Sequence, residues 1–338
     1  MHDTHTMADQ MISTGPLNSI TDVPGIRVGQ AQDEDLITGT TVVIPDQPAL
    51  CAVDHRGGAI GSRDTVAMMP GSVGNQAHAI CLSGGSAYGL DASGGVMHAL
   101  RAQGRGFQIA DAVVPIVPSA IIFDLMIGRR DWDHPPYWDL GRKAAEAAGS
   151  DVALGNAGAG MGATAGPLKG GTGTASFQTA DYTVGALAVA NPVGETVIPG
   201  TSTFWAWMLE QNGELGGQTP PVRPLQTAAQ TIGQPGENTT LVVIATDAKL
   251  DHDQALRVAI MAQDGLAYAI RPVHSPLDGD TVFVLSTGTA DAPDPWGGIT
   301  RLGQFAADAA ARAIARGVYR ADPLGGRPSY RETHGTGA

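Results

Sequence analysis

The sequence predicts an α/β protein of layered sheets with helices covering both faces, on three observations. Short apolar runs bounded by Gly, Pro, Asn and Asp alternate in blocks with segments of helical period. Apolar residues make up 43% of the 338-residue chain but aromatics only 5%, so a sizeable core must rest on Ala, Val, Ile and Leu. The 46 glycines let the elements of such a core approach one another closely. A four-layer αββα sandwich is favoured over a doubly wound sheet. That choice does not come from periodicity alone, which fixes element type far better than topology.

The elements follow in order. Met1 to Pro16 is polar, without the basic start and apolar core of a signal peptide, and is expected to form a flexible tail (residues 1–18) ahead of a single domain (19–338). Ile20 to Val28 and Gly39 to Ile44 read as strands punctuated by Pro24-Gly25 and Pro45-Asp46, and Ala49 to Val53 as a third. His78 to Leu100 reads as a helix with Ile80, Leu82, Leu90, Val96 and Leu100 on one broad face. Its glycines, among them Gly84, Gly85 and Gly89, each weaken it by about 1 kcal/mol relative to Ala, so it requires close neighbours. Ala110 to Ile122 is strand-rich, Trp138 to Ala148 helical, and Thr183 to Ala190 a strand ending at Asn191-Pro192-Val193-Gly194. Trp205 to Pro235 has little periodicity and reads as an exposed loop. Leu241 to Thr246 is then a strand, Asp251 to Ile270 a helix, Thr281 to Thr287 a strand and Gly303 to Arg316 an Ala-rich final helix.

Composition excludes several function classes. A net charge of -13 argues against nucleic acid as a partner, because phosphate binding draws on clustered Lys and Arg. No apolar run approaches the roughly 18 residues of a membrane span. Cys51 and Cys81 fall in no Cys-x-x-Cys or Cys/His pattern and read as reduced, buried residues of a cytoplasmic protein. His-Glu-x-x-His is absent and the histidines, among them His55, His78, His252 and His274, are scattered, so no metal is expected and each reads as structural. Gly155-Asn156-Ala157-Gly158-Ala159-Gly160-Met161-Gly162 invites a dinucleotide reading but lacks an acidic strand end about 20 residues on, so no cofactor is expected. Ser86 lies in an incomplete Gly-x-Ser-x-Gly elbow, with Tyr88 where the second glycine belongs; close packing at a helix start, with Ser83 as N-cap, fits better.

One run carries chemistry. Gly236-Glu237-Asn238-Thr239-Thr240 stands directly before the apolar strand. A threonine hydroxyl needs a base, and an N-terminal threonine carries one in its own α-amine. That amine has a pKa of about 7.7 to 8.0, so part of it is neutral near pH 7. In an uncut chain the same hydroxyl can attack the Asn238 carbonyl and open the bond, so Thr239 would serve twice. The plainer reading has Thr239 and Thr240 opening a strand after a loop. Asn238-Thr239-Thr240 also matches a glycosylation acceptor, which matters only in a secreted eukaryotic protein. Asp278-Gly279-Asp280 is an ordinary turn signal, yet its carboxylates could orient an amine. Asn191 could donate to an oxyanion, or simply end a strand before Pro192. Lys169, in Pro167-Leu168-Lys169-Gly170-Gly171, could stabilise negative charge or sit on a solvated loop.

Together and in this order these segments resemble the DmpA-type aminopeptidase family, which includes β-peptidyl aminopeptidases, a pantetheine hydrolase and the nylon-oligomer endohydrolase NylC. The resemblance spans almost the whole chain, from Ile20-Thr21-Asp22-Val23-Pro24-Gly25 through Leu82-Ser83-Gly84-Gly85-Ser86, Gly158-Ala159-Gly160-Met161-Gly162 and Asn191-Pro192-Val193-Gly194 to the Asn238-Thr239 and Asp278-Gly279-Asp280 segments. It implies a sandwich like that of N-terminal-nucleophile hydrolases with different connectivity, self-cleavage into 1–238 and 239–338, and a homo-oligomer (tetramer or larger) of processed pairs. By carry-over Thr239 is the nucleophile, its freed amine the base, Asn191 the oxyanion donor, and Asp278 with Asp280 the orienting acids. The implied activity is hydrolysis of a peptide or small amide; acyl transfer by the same acyl-enzyme and an uncleaved, inert scaffold are the alternatives. Two departures stand out. Phe123 replaces a site tyrosine of the NylC-type relatives, and Lys169 matches the family lysine only across a short gap, because Pro167 follows Gly166.

Overall fold

The computed structural model describes residues 12–221 and 238–335. In chain order the strands are β1 (Ile26–Asp33), β2 (Thr38–Pro45), β3 (Ala49–His55), β4 (Ser62–Arg63), β5 (Gln76–Ala77), β6 (Ile80–Ser83), β7 (Phe107–Ile109), β8 (Ala112–Val114) and β9 (Ser119–Ile121). They continue with β10 (Thr164–Ala165), β11 (Leu168–Lys169), β12 (Gly171–Gln178), β13 (Thr183–Asn191), β14 (Thr239–Ala248) and β15 (Thr281–Ala290). The helices are α1 (Ala92–Ala102), α2 (Tyr137–Glu146), α3 (His252–Ala269), α4 (Gly297–Arg320) and a short α5 (Tyr330–His334).

Two sheets stack face to face. One has the order β1-β2-β6-β9-β4, the other β12-β13-β14-β15-β3-β5. Helices α1 and α2 cover the first, α3 and α4 the second, which makes the four-layer αββα sandwich. Three buried clusters fill its three gaps: Val96, Leu100 and Leu140 against the first sheet, Val43, Leu82, Leu187 and Phe283 between the sheets, and Val258, Leu302 and Ile314 against the second. Strand β14 shows why its sequence is apolar without interruption. Leu241, Val243 and Ala245 face the opposite sheet while Val242 and Ile244 face the outer helices, so both faces are buried. Helix α3 starts where Asp251 caps it, its side chain accepting from the Gln254 N–H at 2.8 Å.

Several elements differ from expectation. The segment His78 to Leu100 is not one helix: Ile80–Ser83 is a strand, a 3-10 turn covers Ser86–Asp91, and α1 begins only at Ala92. A short apolar run fits either period, and here the buried edge of β2 supplies a ladder that an isolated helix turn could not match. Ser83 is accordingly a strand residue paired with Thr40 and caps no helix. The first strand begins at Ile26, because Ile20–Asp22 forms a 3-10 turn closed by a Ser19–Asp22 capping box. Residues 13–18 run beside β12, with Ser13 paired to Gln178 and the Gly15 N–H donating to Ser176 Oγ at 3.1 Å.

The loop expected from Trp205 to Pro235 is also more ordered where it is described. Trp205–Leu209 is a 3-10 turn, Leu215 is fully buried, and Glu214 reaches the interior. There Glu214 meets the fully buried Arg312 of α4 in a bidentate pair, Nε to Oε1 at 2.6 Å and a terminal nitrogen to Oε2 at 2.9 Å. Arg312 also donates to Ser176 O at 3.0 Å and to Asn18 Oδ1 at 2.8 Å, and its guanidinium lies 4.7 Å from the Phe177 ring centre. The remainder of that loop, residues 222–235, lies outside the described residues.

Candidate active site

The sheet brings Thr239 and Asn191 together. Strands β13 and β14 are antiparallel neighbours with Asn191 directly opposite Thr239, both at the strand ends and both buried. The parallel neighbour of β14 is β15, and the turn that feeds it, Asp278-Gly279-Asp280, lies beside Asn238-Thr239-Thr240. Four of the predicted residues thus meet at one end of the interior strands of the second sheet.

Thr239 Oγ1 rests against the carbonyl oxygen of Asn238. The backbone N–H of Gly279 donates to Oγ1 at 3.1 Å and to that same carbonyl oxygen at 3.3 Å. A hydroxyl and the carbonyl next to it therefore share one donor. Position 279 has to be glycine, because a Cβ there would stand 2.7 Å from Thr239 Oγ1 and 2.6 Å from the Ala59 carbonyl oxygen. The loop behind it is equally tight. The Ala59 N–H donates to the Asp278 carbonyl at 2.8 Å and the Arg56 N–H to the Asp280 carbonyl at 3.0 Å, while a Cβ on Gly57 would lie 2.0 Å from the Asp278 carbonyl oxygen.

The two acids have separate tasks. Asp280 Oδ1 accepts the Thr240 N–H at 2.8 Å, so it grips the backbone directly after Thr239. Asp278 Oδ1 accepts from the Val193 N–H at 3.0 Å, and Oδ2 accepts from the Ser275 N–H at 3.1 Å and its hydroxyl at 2.6 Å. Asp278 thereby ties the loop after Asn191 to the turn. Burial, and after it the charge of Asp280, pushes the Asp278 carboxyl above its ordinary value, against those hydrogen bonds.

Asn191 is oriented from two sides. Its Oδ1 accepts the Thr164 N–H at 2.8 Å, and its Nδ2 donates to the Phe123 carbonyl at 3.3 Å. The backbone of Phe123, not its ring, thus makes the contact with Asn191. Lys169 is not on a solvated loop: it is fully buried in β11, where Nζ donates to the carbonyls of Gly160 at 2.9 Å and Gly170 at 3.0 Å. Its link to the centre runs through Thr164, its partner across the β10–β11 hairpin and the donor to Asn191.

Two contributing residues escaped the sequence reading. Asp124 is buried beside Phe123 and accepts from Thr38 Oγ1 at 2.6 Å and from the Gly85 N–H at 2.7 Å. Burial lifts its carboxyl to about 6, with those hydrogen bonds and the Lys169 charge opposing. His274, read as one of the scattered histidines, places Nδ1 2.8 Å from Asp280 Oδ2. A histidine four residues before an Asp-Gly-Asp turn is the available signal, but no periodicity reports loop geometry. Among the described residues no group of three or more His, Cys, Asp and Glu side chains could hold a metal ion.

Burial also brings Lys169 down to about 7, with Asp124 opposing the shift. A lysine depressed in the folded state binds fewer protons than in the unfolded chain, so its contribution is present above pH 10.5 and lost as pH falls toward about 7. Thermal melts from pH 7 to pH 10 should therefore rise less steeply with pH for Lys169→Met than for the parent chain, by a few kcal/mol over that window. Equal slopes would show that the ammonium is not depressed.

The model of peptidase family S58 matches residues 18–331. An uncharacterized aminopeptidase of Mycobacterium tuberculosis is 45% identical over 340 residues, covering 94% of this chain and 98% of that protein. A 6-aminohexanoate-oligomer endohydrolase of Paenarthrobacter ureafaciens is 34% identical over 285 residues, covering 80% and 76%. The L-aminopeptidase D-Ala-esterase/amidase of Ochrobactrum anthropi, a variant of the Ntn hydrolase fold, superposes with a TM-score of 0.69 at 22% identity over 94% of this chain and 90% of that one, a likeness of fold.

Proposed function

The chain belongs to peptidase family S58, a family of peptide- and amide-bond hydrolases, and from that premise we propose that it is a self-processing threonine hydrolase. The single observation that carries the reading is the Thr239 hydroxyl lying against the Asn238 carbonyl with the Gly279 N–H on both oxygens. In the first reaction Oγ1 bonds to the Asn238 carbonyl carbon while the C–N bond to Thr239 breaks, and the hydroxyl proton passes to the departing nitrogen. Water then hydrolyses the resulting ester, leaving a carboxylate on Asn238 and a free α-amine on Thr239. The Gly279 N–H is placed to hold the charge that develops on the carbonyl oxygen.

In the second reaction that α-amine takes the hydroxyl proton and Oγ1 attacks an incoming amide, forming an acyl-enzyme that water clears. Asn191, opposite Thr239 in the ladder, serves as the oxyanion donor, held in place by Thr164 and the Phe123 carbonyl. Asp280 fixes the backbone after the nucleophile, Asp278 fixes the loop after Asn191, and Lys169 acts at a distance, through Thr164. The substrate is a peptide or a small amide, such as the aminoacyl amides and 6-aminohexanoate oligomers that the relatives' names point to. The working form in this reading is a cytoplasmic homo-oligomer of processed pairs.

Denaturing electrophoresis with N-terminal sequencing tests the first reaction: two fragments are expected, residues 1–238 and a second beginning at Thr239. A purified chain that stays whole, and inert toward amides, would sink the reading. Gly279→Ala probes the shared donor. Its Cβ must push aside either the Thr239 hydroxyl or the Ala59 carbonyl, so electrophoresis should show splitting slowed by about 100-fold or more, the loss typical of a displaced oxyanion donor. Splitting at the parent rate would remove Gly279 from the mechanism.

A further inference from the structure

Asp280 holds the start of β14, and one side chain given no role in the proposed reactions holds Asp280. His274 approaches its Oδ2 twice, through Nδ1 at 2.8 Å and through its own backbone N–H at 3.1 Å. The other oxygen, Oδ1, is the one that accepts the Thr240 N–H. With Oδ2 engaged by two donors from one residue, the carboxylate plane is fixed and Oδ1 is aimed at the strand. An ionised carboxylate only accepts, so Nδ1 is the ring nitrogen that carries the proton. The loop keeps this arrangement at a cost, since His274 adopts φ 54, a left-handed conformation uncommon outside glycine and asparagine. Its side chain is partly buried, 24% exposed, with Nδ1 turned to the buried Asp280 carboxylate.

We infer that His274 is a positioning residue for Thr239: by clamping Asp280 Oδ2 it fixes Oδ1 on the Thr240 N–H, and with it the direction of the Thr239 hydroxyl toward its target carbonyl. The inference rests on the Thr239 reading and deepens it.

The readout is the rate at which newly made chain splits, followed by electrophoresis during cell-free translation of the full chain. His274→Gly adopts a left-handed backbone without penalty and keeps the N–H, so it removes the ring alone. Splitting should slow by about 10- to 100-fold, the loss expected when a hydrogen bond to a charged group is withdrawn. His274→Asn tolerates the same backbone and brings an amide donor to the place of Nδ1, so it should recover most of the rate. His274→Asp, of the same shape but without the donor and with a like charge facing Asp280, should be slow. Should the glycine variant fail to fold, the Asn and Asp variants still decide the matter.

Parent-like rates for His274→Gly, or equal rates for the Asn and Asp variants, would overturn the inference while leaving the Thr239 reading intact. A parent chain that never splits, or a Thr239→Ala chain that does, overturns the reading itself, and the inference falls with it.

Discussion

Thr239→Ala is expected to leave the chain as one species of 34.6 kDa and to abolish amide turnover. One atom is removed from both reactions. Without Oγ1 nothing lies against the Asn238 carbonyl to attack it, and without scission the α-amine that would act as base stays locked in a peptide bond. The turnover loss should be about 10⁴-fold or more, as for removal of the nucleophile in other hydrolases that act through an acyl-enzyme. Thr239→Ser keeps the hydroxyl and should split, so the pair separates loss of the nucleophile from damage to the strand. Mass spectrometry of both purified variants checks the outcome. An alanine variant that is still cut between Asn238 and Thr239 would mean that another group opens the bond.

Arg312→Met should have the largest effect on stability. The replacement is apolar and of similar length, but it leaves the Glu214 carboxylate buried without its bidentate partner, and it strips donors from Ser176 O and Asn18 Oδ1. Arg316 lies 3.4 Å from Glu214 and makes up only part of the loss. Breaking such a pair from one side costs about 3–5 kcal/mol. Urea unfolding of the variant in a Thr239→Ala background keeps the molecule a single chain during the measurement. Adding Glu214→Gln should restore part of the stability, because the uncompensated charge is then gone. A loss below about 1 kcal/mol would show that the pair contributes little beyond a surface ion pair.

The sequence made some of this legible and hid the rest for physical reasons. The uninterrupted run Leu241 to Ala245 announces a strand buried on both faces, and it is one. The Asp-Gly-Asp turn and the strand-ending Asn191 can be picked out by residue type, because turn chemistry and strand ends leave local marks. The αββα layering agrees with the resemblance more than with any periodicity. Ile80 to Ser83 reads as helix because three apolar residues and a serine suit a helix as well as a strand until the neighbouring β2 is known. Glu214 and Asp124 look like surface acids in sequence; only the folded chain brings a guanidinium to one and a hydroxyl with a backbone donor to the other. His274 depends on loop geometry, which leaves no periodic pattern beyond its closeness in sequence to the Asp-Gly-Asp turn.

The order of the second sheet has a further consequence. Strands β14 and β15, which follow Thr239, lie between β13 and β3, which precede it. Arg312 and Glu214 likewise come from opposite sides of that bond. Opening the bond would free one strand end and release no strand, so the two pieces would remain woven through a common sheet. In the proposed mechanism scission is then a late step, because the Gly279 donor and the Asp280 anchor reach Thr239 and Thr240 only once β15 and the turn before it have docked beside β14. On that reading the connectivity works as a clock, with assembly ahead of chemistry.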